Sequence, residues 1–141
     1  MDTLTVKLQS LDDKAMFGMA ARENPEVIID YFPPVGTGQG YTSLELLMAS
    51  FGSCVGTTIL TLLRFRLHKT IIGISLNIDG DVRENHPKAL ERMHVTLRIN
   101  APDLTEAEVR QVLHTAEESV CPVWSMLKGN VEIDFVIEIA P

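Results

Sequence analysis

The sequence holds only two cysteines in 141 residues and no CxxC pair, which excludes a disulfide-stapled fold. Its four histidines, His68, His86, His94 and His114, are scattered, with no two at ligand spacing, so no metal site is expected. His94 falls on the polar side of its strand and reads as solvated, and His114 reads as helix surface. Basic residues are outnumbered, 12 to 19, and the net charge of −7 argues against nucleic acid or an anionic membrane as partner. There is no run of five like charges, no internal repeat and no low-complexity tract. The N-terminal stretch "MDTLTVKLQSLDDKAMFG" has no basic start, apolar run or small-residue cleavage site, so no signal peptide is read there. A cytoplasmic chain is expected, in which a disulfide would be transient or catalytic. "GTGQG" at 36–40 lacks the lysine of a phosphate-binding loop, and no nucleotide, flavin or other cofactor is called for.

What the chain does hold is apolar patterning at two periods, in a length that suits one domain over residues 1–141. Residues 3–11, 14–21 and 26–32 read as strands, with a turn at "ENP" and a Pro/Gly loop, "PPVGTGQG", at 33–40. "TSLE" then sets up a capping box, Thr42 at the N-cap and Glu45 at N3, for a helix running to about Leu67. Residues 71–84 place Ile72, Ile74, Leu76, Ile78 and Val82 on one face, and residues 91–100 do the same for Met93, Val95, Leu97 and Ile99. These predict an antiparallel hairpin with one wet side. A second helix at 103–120 starts with the capping box Thr105 and Glu108, and Pro122 stops it at or before Cys121. "PVWSMLKG" suits a short helix, and "NVEIDFVIEI" a closing strand. The order β-β-β-α-β-β-α-β predicts an α+β fold with mainly antiparallel sheets around a long buried central helix.

That helix carries the puzzle. "LLMASFGSCVGTTILTLL", residues 46–63, is apolar on all sides and has Cys54 at its middle. A helix of this kind must be buried all round, in a core, an oligomer or a bilayer. Gly52 and Gly56, four apart, suggest close approach by a second helix, from a partner subunit or in a membrane. The membrane reading leaves the sheets without a core helix, and Glu45 sits near one end of the span. Cys121 lies in "EESVCPVW", where Pro122 turns the chain off its helix. On the residues alone, each cysteine reads either as a small buried hydrophobe or as a redox thiol.

"SLELLMASFGSCVGTTIL" and "AEESVCPVWSMLKGNVEIDFVIEI" resemble the two cysteine motifs of the OsmC/Ohr family, the osmotically inducible and organic hydroperoxide resistance proteins. The likeness runs from "FGMAARENPEVIIDYFPPVGTGQG" through "RMHVTLRI" to the last strand. It implies an intertwined homodimer whose central helices are wrapped by the sheets of both subunits. It also implies a thiol peroxidase that reduces organic hydroperoxides, with Cys54 as peroxidatic and Cys121 as resolving cysteine. A Cys54 sulfenic acid and a Cys54–Cys121 disulfide would follow, re-reduced by an external dithiol, of lipoyl type by resemblance. Apolar burial raises a thiol's pKa, and mid-helix Cys54 gains little from the helix dipole, so a cation must come from elsewhere. Arg22 resembles the family arginine that faces this thiol. Arg64 and Arg66 lie too far along the helix axis. Many family members pair that arginine with a glutamate ten residues before the first cysteine, where this chain has Leu44. Glu45, nine before, falls roughly on the opposite helix face, so it is either the arginine's partner or only the cap. The family's preceding proline is Ser43 here. Glu117 and Glu118 read either as neighbours of Cys121 or as helix-surface acids, the second being the commoner case. Leu47, Phe51, Val55, Trp124 and Met126 are the expected apolar walls for the substrate. Two other readings stay open: a non-catalytic dimer of this type that binds an apolar small molecule, and a thiol redox sensor.

Overall fold

The capping box at the head of the central helix forms as the sequence predicts. The backbone N–H of Thr42 donates to Glu45 Oε1 at 2.8 Å, and the N–H of Glu45 donates to Thr42 Oγ1 at 3.3 Å. In the computed structural model, which describes all 141 residues, the elements are β1 (Lys7–Ser10), β2 (Phe17–Ala20), β3 (Val27–Ile29), α1 (Ser43–Thr61), β4 (Gly73–Val82), β5 (Leu90–Asn100), α2 (Glu106–Thr115), α3 (Pro122–Leu127) and β6 (Glu132–Ala140). Both long helices end in a five-residue π-helical turn, Leu62–Arg66 after α1 and Ala116–Val120 after α2. The chain divides into two compact units, Met1–Leu47 and Met48–Pro141.

In the first unit β1, β2 and β3 form an antiparallel meander. The loop after β3 is organised by Asp30. Its buried carboxylate accepts from the backbone N–H of Tyr31 and of Thr37 and from the Thr37 hydroxyl. These donors favour the charged form, led by the Thr37 hydroxyl, and hold the Asp30 carboxyl below its ordinary range. The composition of "PPVGTGQG" announced a loop, but no local pattern announced its anchor.

The second unit contains the core. β4 and β5 pair antiparallel, as the hairpin pattern predicts, and β6 joins β5 in parallel. The sheet is therefore mixed, because α2 and α3 carry the chain back across it before β6 begins. Met93, Val95, Leu97 and Ile99 of β5 are buried together with Phe51, Val55, Ile59 and Leu63 from the first helix. Two expected core positions of β4 are not: Ile72 precedes the strand and is 68% exposed, and Val82 is 47% exposed. A register irregularity between Asp81 and Val82 breaks the period-two alternation at that end. The glycines have a different neighbour from the one the spacing suggested. A Cβ on Gly52 would lie 2.9 Å from Ile78 Cδ1, and one on Gly56 3.4 Å from Leu76 Cδ1. They admit the chain's own β4, not a second helix. α1 is also not buried all round within the chain. Phe51, Gly52, Val55, Gly56, Thr58 and Ile59 are covered, while Ser50, Ser53, Thr57 and Thr61 on the other side are exposed. Ser43–Arg66 is long and apolar enough to cross a membrane by length and composition, yet its inner face is a globular core.

Candidate thiol site

Cys54 and Cys121 are brought together by their aromatic neighbours. Phe51 stands three residues before Cys54 on α1, and Trp124 three residues after Cys121 on α3, so each pair shares a helix face. The Phe51 and Trp124 rings meet edge to face, with centroids 5.5 Å apart, and Phe135 of β6 packs on Trp124 at the same distance. This docking aligns the two helices one turn further on. There the sulfurs face each other, Sγ to Sγ 3.1 Å, across 67 residues of sequence. Both thiols are free, with the Cys121 S–H aimed at Cys54 Sγ.

Their environments differ. Cys54 is half-buried on α1, and its carbonyl accepts from the Thr58 hydroxyl at 3.0 Å. Cys121 is 1% exposed. Its backbone N–H closes the π-helical turn on the Ala116 carbonyl, 2.9 Å, and it is the N-terminal boundary of α3, in extended conformation ahead of Pro122. The wide turn places Cys121 off the α2 helix, and π turns recur at functional sites. Burial, then the hydrogen bond to Cys54, pushes the Cys121 thiol up to about 11, against partial compensation from the Trp124 and Val123 backbone N–H groups. Cys121 thus stays a protonated donor at neutral pH, and Cys54 is the sulfur that receives.

The remaining predicted residues divide. Phe51 and Val55 have no exposed surface, so they are core behind Cys54 and not walls open to a substrate, because the inner face of α1 is covered by the sheet. Trp124 borders a cleft of about 310 Å³ with Leu113, His114, Ile133 and Phe135. Leu47 and Met126 are exposed. Glu45 is committed to the cap through Oε1, and it forms no ion pair with Arg22, which is in the same unit. Arg22 is exposed in the turn after β2 and adopts a left-handed backbone, φ 57°, unusual for a residue other than glycine. Arg64 and Arg66 lie exposed in the π-helical turn after α1. Within residues 48–141 no Lys or Arg bonds to either sulfur. No cluster of three or more His, Cys, Asp or Glu side chains could hold a metal ion.

Of the two readings of Glu117 and Glu118, neighbours of Cys121 or helix-surface acids, the structure supports the first. With Ser119, Val120 and Ser125 they border a cleft of about 220 Å³ that ends on Cys121. Lys128 Nζ pairs with Glu118 at 2.9 Å and with Glu117 at 3.4 Å.

The fold agrees with comparisons to known proteins. A family model described as OsmC-like protein matches residues 36–136, the greater part of the chain, including both cysteines. The chain belongs to the OsmC family. Among solved structures, the OsmC-like chain is similar to a hypothetical protein from Aquifex aeolicus VF5, at TM-score 0.84 and 24% identity, covering 99% of this chain and 97% of that one. It is also similar to an OsmC-like protein from Mycoplasma pneumoniae, at TM-score 0.82 and 17% identity, covering 99% of both chains. The organic hydroperoxide resistance protein OhrB of Bacillus subtilis shares the fold at TM-score 0.69 and 18% identity, covering 97% of this chain and 98% of that one. No curated protein matches the chain. At these identities the structural likeness establishes the fold, and the chemistry must be argued from the sulfurs.

Proposed function

We propose that this OsmC-like protein is a cytoplasmic, cysteine-based peroxidase that reduces organic hydroperoxides and works as a homodimer. The observation that carries the reading is the reduced Cys54–Cys121 pair at 3.1 Å, with Cys121 as the protonated donor. Cys54, as thiolate, attacks the distal oxygen of the hydroperoxide. The O–O bond breaks, the alcohol leaves with a proton, and Cys54 becomes a sulfenic acid. Cys121 then attacks the Cys54 sulfur, forming a disulfide and releasing water. An external dithiol, oxidised in turn, restores both thiols by exchange. Neither metal nor organic cofactor enters the cycle. In this reading Arg22 is the cation that stabilises the thiolate, and its strained backbone is of the kind held at functional positions. Glu45 keeps its cap and takes no catalytic part.

Incubation of the reduced protein with tert-butyl hydroperoxide tests the reading. It should consume both thiols and yield a Cys54–Cys121 crosslink by mass spectrometry. Two thiols surviving excess peroxide would overturn it and leave an apolar-ligand binder. Oxidation with slow turnover under excess dithiol would point to a sensor instead.

A further inference from the structure

The peroxide cycle uses the two cysteines one after the other, but in the reduced protein they already form a chelate. The sulfurs stand 3.1 Å apart, one on α1 and one at the head of α3. The Phe51–Trp124 contact holds those two helices together, so no loop has to close to bring a second sulfur to a ligand on the first. Spacing and donor number then select the ligand atom. A tetrahedral metal such as zinc takes four donors and, with Zn–S bonds of about 2.3 Å, sets its sulfurs about 3.8 Å apart. This pair is closer than that, and no group of three or more His, Cys, Asp or Glu side chains is present to complete the shell. A linear soft ion such as copper(I) holds two sulfurs on opposite sides of itself, farther apart still, and the docked helices would have to separate. Trivalent arsenic is pyramidal, with bond angles near a right angle, so it brings two sulfurs closest together. Carrying one organic group, it takes two thiols and asks for no third donor.

We propose that the reduced Cys54–Cys121 pair is a chelating site for trivalent arsenicals that carry one organic group, entered at Cys54 and closed by Cys121. The inference needs the two free thiols of the structure and not the peroxidase reading. Access follows the exposed sulfur. Cys54 is half-buried at the margin of the open side of α1, where Ser50 and Thr57, one turn away in either direction, are exposed, whereas Cys121 is 1% exposed. The arsenical therefore meets Cys54 first. Cys121 closes the ring from within, at an effective concentration set by the fold and not by the solution. For a reagent R–As(OH)2, the Cys54 sulfur displaces one hydroxide, which leaves as water with the Cys54 proton, and Cys121 displaces the other in the same way. Two As–O bonds break, two As–S bonds form, two waters leave, and arsenic stays trivalent. The captured pair then has no thiol left to react with a peroxide.

The experiment titrates the reduced full-length protein with phenylarsine oxide, which hydrates to such a reagent, and reads the product by intact mass spectrometry. The chelate is lighter than a one-sulfur adduct by one water, so the two are resolved directly. One arsenic per chain, bound through both sulfurs, is expected. It should survive excess 2-mercaptoethanol and be released by 2,3-dimercaptopropanol, and protein oxidised beforehand with diamide should take up none. Zinc chloride alone should be lost on desalting. The variant Cys121→Ser should form only the one-sulfur adduct and bind roughly a hundredfold more weakly or worse, because the second attachment is gone. A one-sulfur adduct in the wild type, or a product that 2-mercaptoethanol strips, would overturn the chelate. Equal uptake by the diamide-oxidised protein would overturn the site, and retained zinc would overturn the selection. Capture of arsenic by a protein whose thiols survive peroxide leaves this inference standing and sinks the peroxidase reading. Crosslinking by peroxide without capture does the reverse.

Discussion

Two side chains of one residue type differ here because one is wrapped and the other is not. Cys121 is 1% exposed and its thiol is pushed up to about 11, so at pH 8 only roughly a thousandth of it is thiolate. Iodoacetamide at that pH is expected to label Cys54 first, with Cys121 labelled only after unfolding; peptide mapping that found Cys121 modified first would contradict the assigned roles. The same shift has a pH consequence. Folding holds the Cys121 proton more tightly than the unfolded chain does, so this contribution to stability is intact below about pH 9 and lost as pH rises towards 11. Arg22 is a second residue-scale case. If it stabilises the thiolate, Arg22→Ala should slow oxidation by tert-butyl hydroperoxide at least tenfold, on the order of 1.4 kcal/mol of barrier, with the circular dichroism unchanged. Equal rates would remove Arg22 from the chemistry. Both cysteines were legible as candidates because a sequence with so few makes each one visible. Their contact was not legible, since nothing local to "GSCVG" or "SVCPV" encodes a neighbour 67 residues away.

At the scale of elements, the site depends on how α1, α3 and β6 dock. Trp124 is 6% exposed and touches both Phe51 and Phe135. Trp124→Ala removes the wedge that sets the helix spacing. It should cost about 3–5 kcal/mol in urea unfolding and slow closure of the disulfide as well. A loss below 1 kcal/mol would show that the helices dock without it. The wet face of the second sheet holds the other element-scale device. His94 of β5 bridges Asp81 of β4 and Asp134 of β6, each at 2.9 Å, with Arg92–Glu132 and Arg98–Glu138 pairs flanking it. The hydrogen bond that the His94 ring donates to Asp81, then the one it donates to Asp134, raises the His94 pKa above its ordinary value. A raised histidine contributes stability in full below about pH 6.5 and loses it as pH climbs through the folded-state value. NMR should place the His94 midpoint above 6.5, and the wild type should lose stability relative to His94→Gln between pH 6 and 9. Parallel pH profiles for the two would contradict the bridge. The hairpin, the caps and the short helix before "KGN" were all written in period and composition. The parallel pairing of β6 was not, because alternation is the same in either direction and only the α2–α3 crossover decides it.

For the whole molecule, the decisive fact is what the chain leaves uncovered. None of the apolar side chains in Met1–Leu47 is buried, and Leu4, Val6, Leu8, Phe17, Tyr31 and Phe32 are all exposed. A three-stranded sheet of this length is not stable without an apolar face packed on something, and a unit of under 50 residues supplies little core of its own. The outer side of α1 and the turn after it add to the deficit, with Leu47 37% and Phe65 76% exposed. Soluble monomers rarely carry this much uncovered apolar surface, whereas a self-complementary interface covers it twice over. This is also the physical meaning of the all-round apolar helix in the sequence: its pattern specified burial on every side, and one chain provides burial on one side only. Light scattering should therefore return a mass twice 15.6 kDa, and the melting temperature should rise with protein concentration because association and folding are linked. A monomer of 15.6 kDa with the β1–β3 amides protected from hydrogen exchange would show that the first unit folds on its own, and the dimer would then have no work to do.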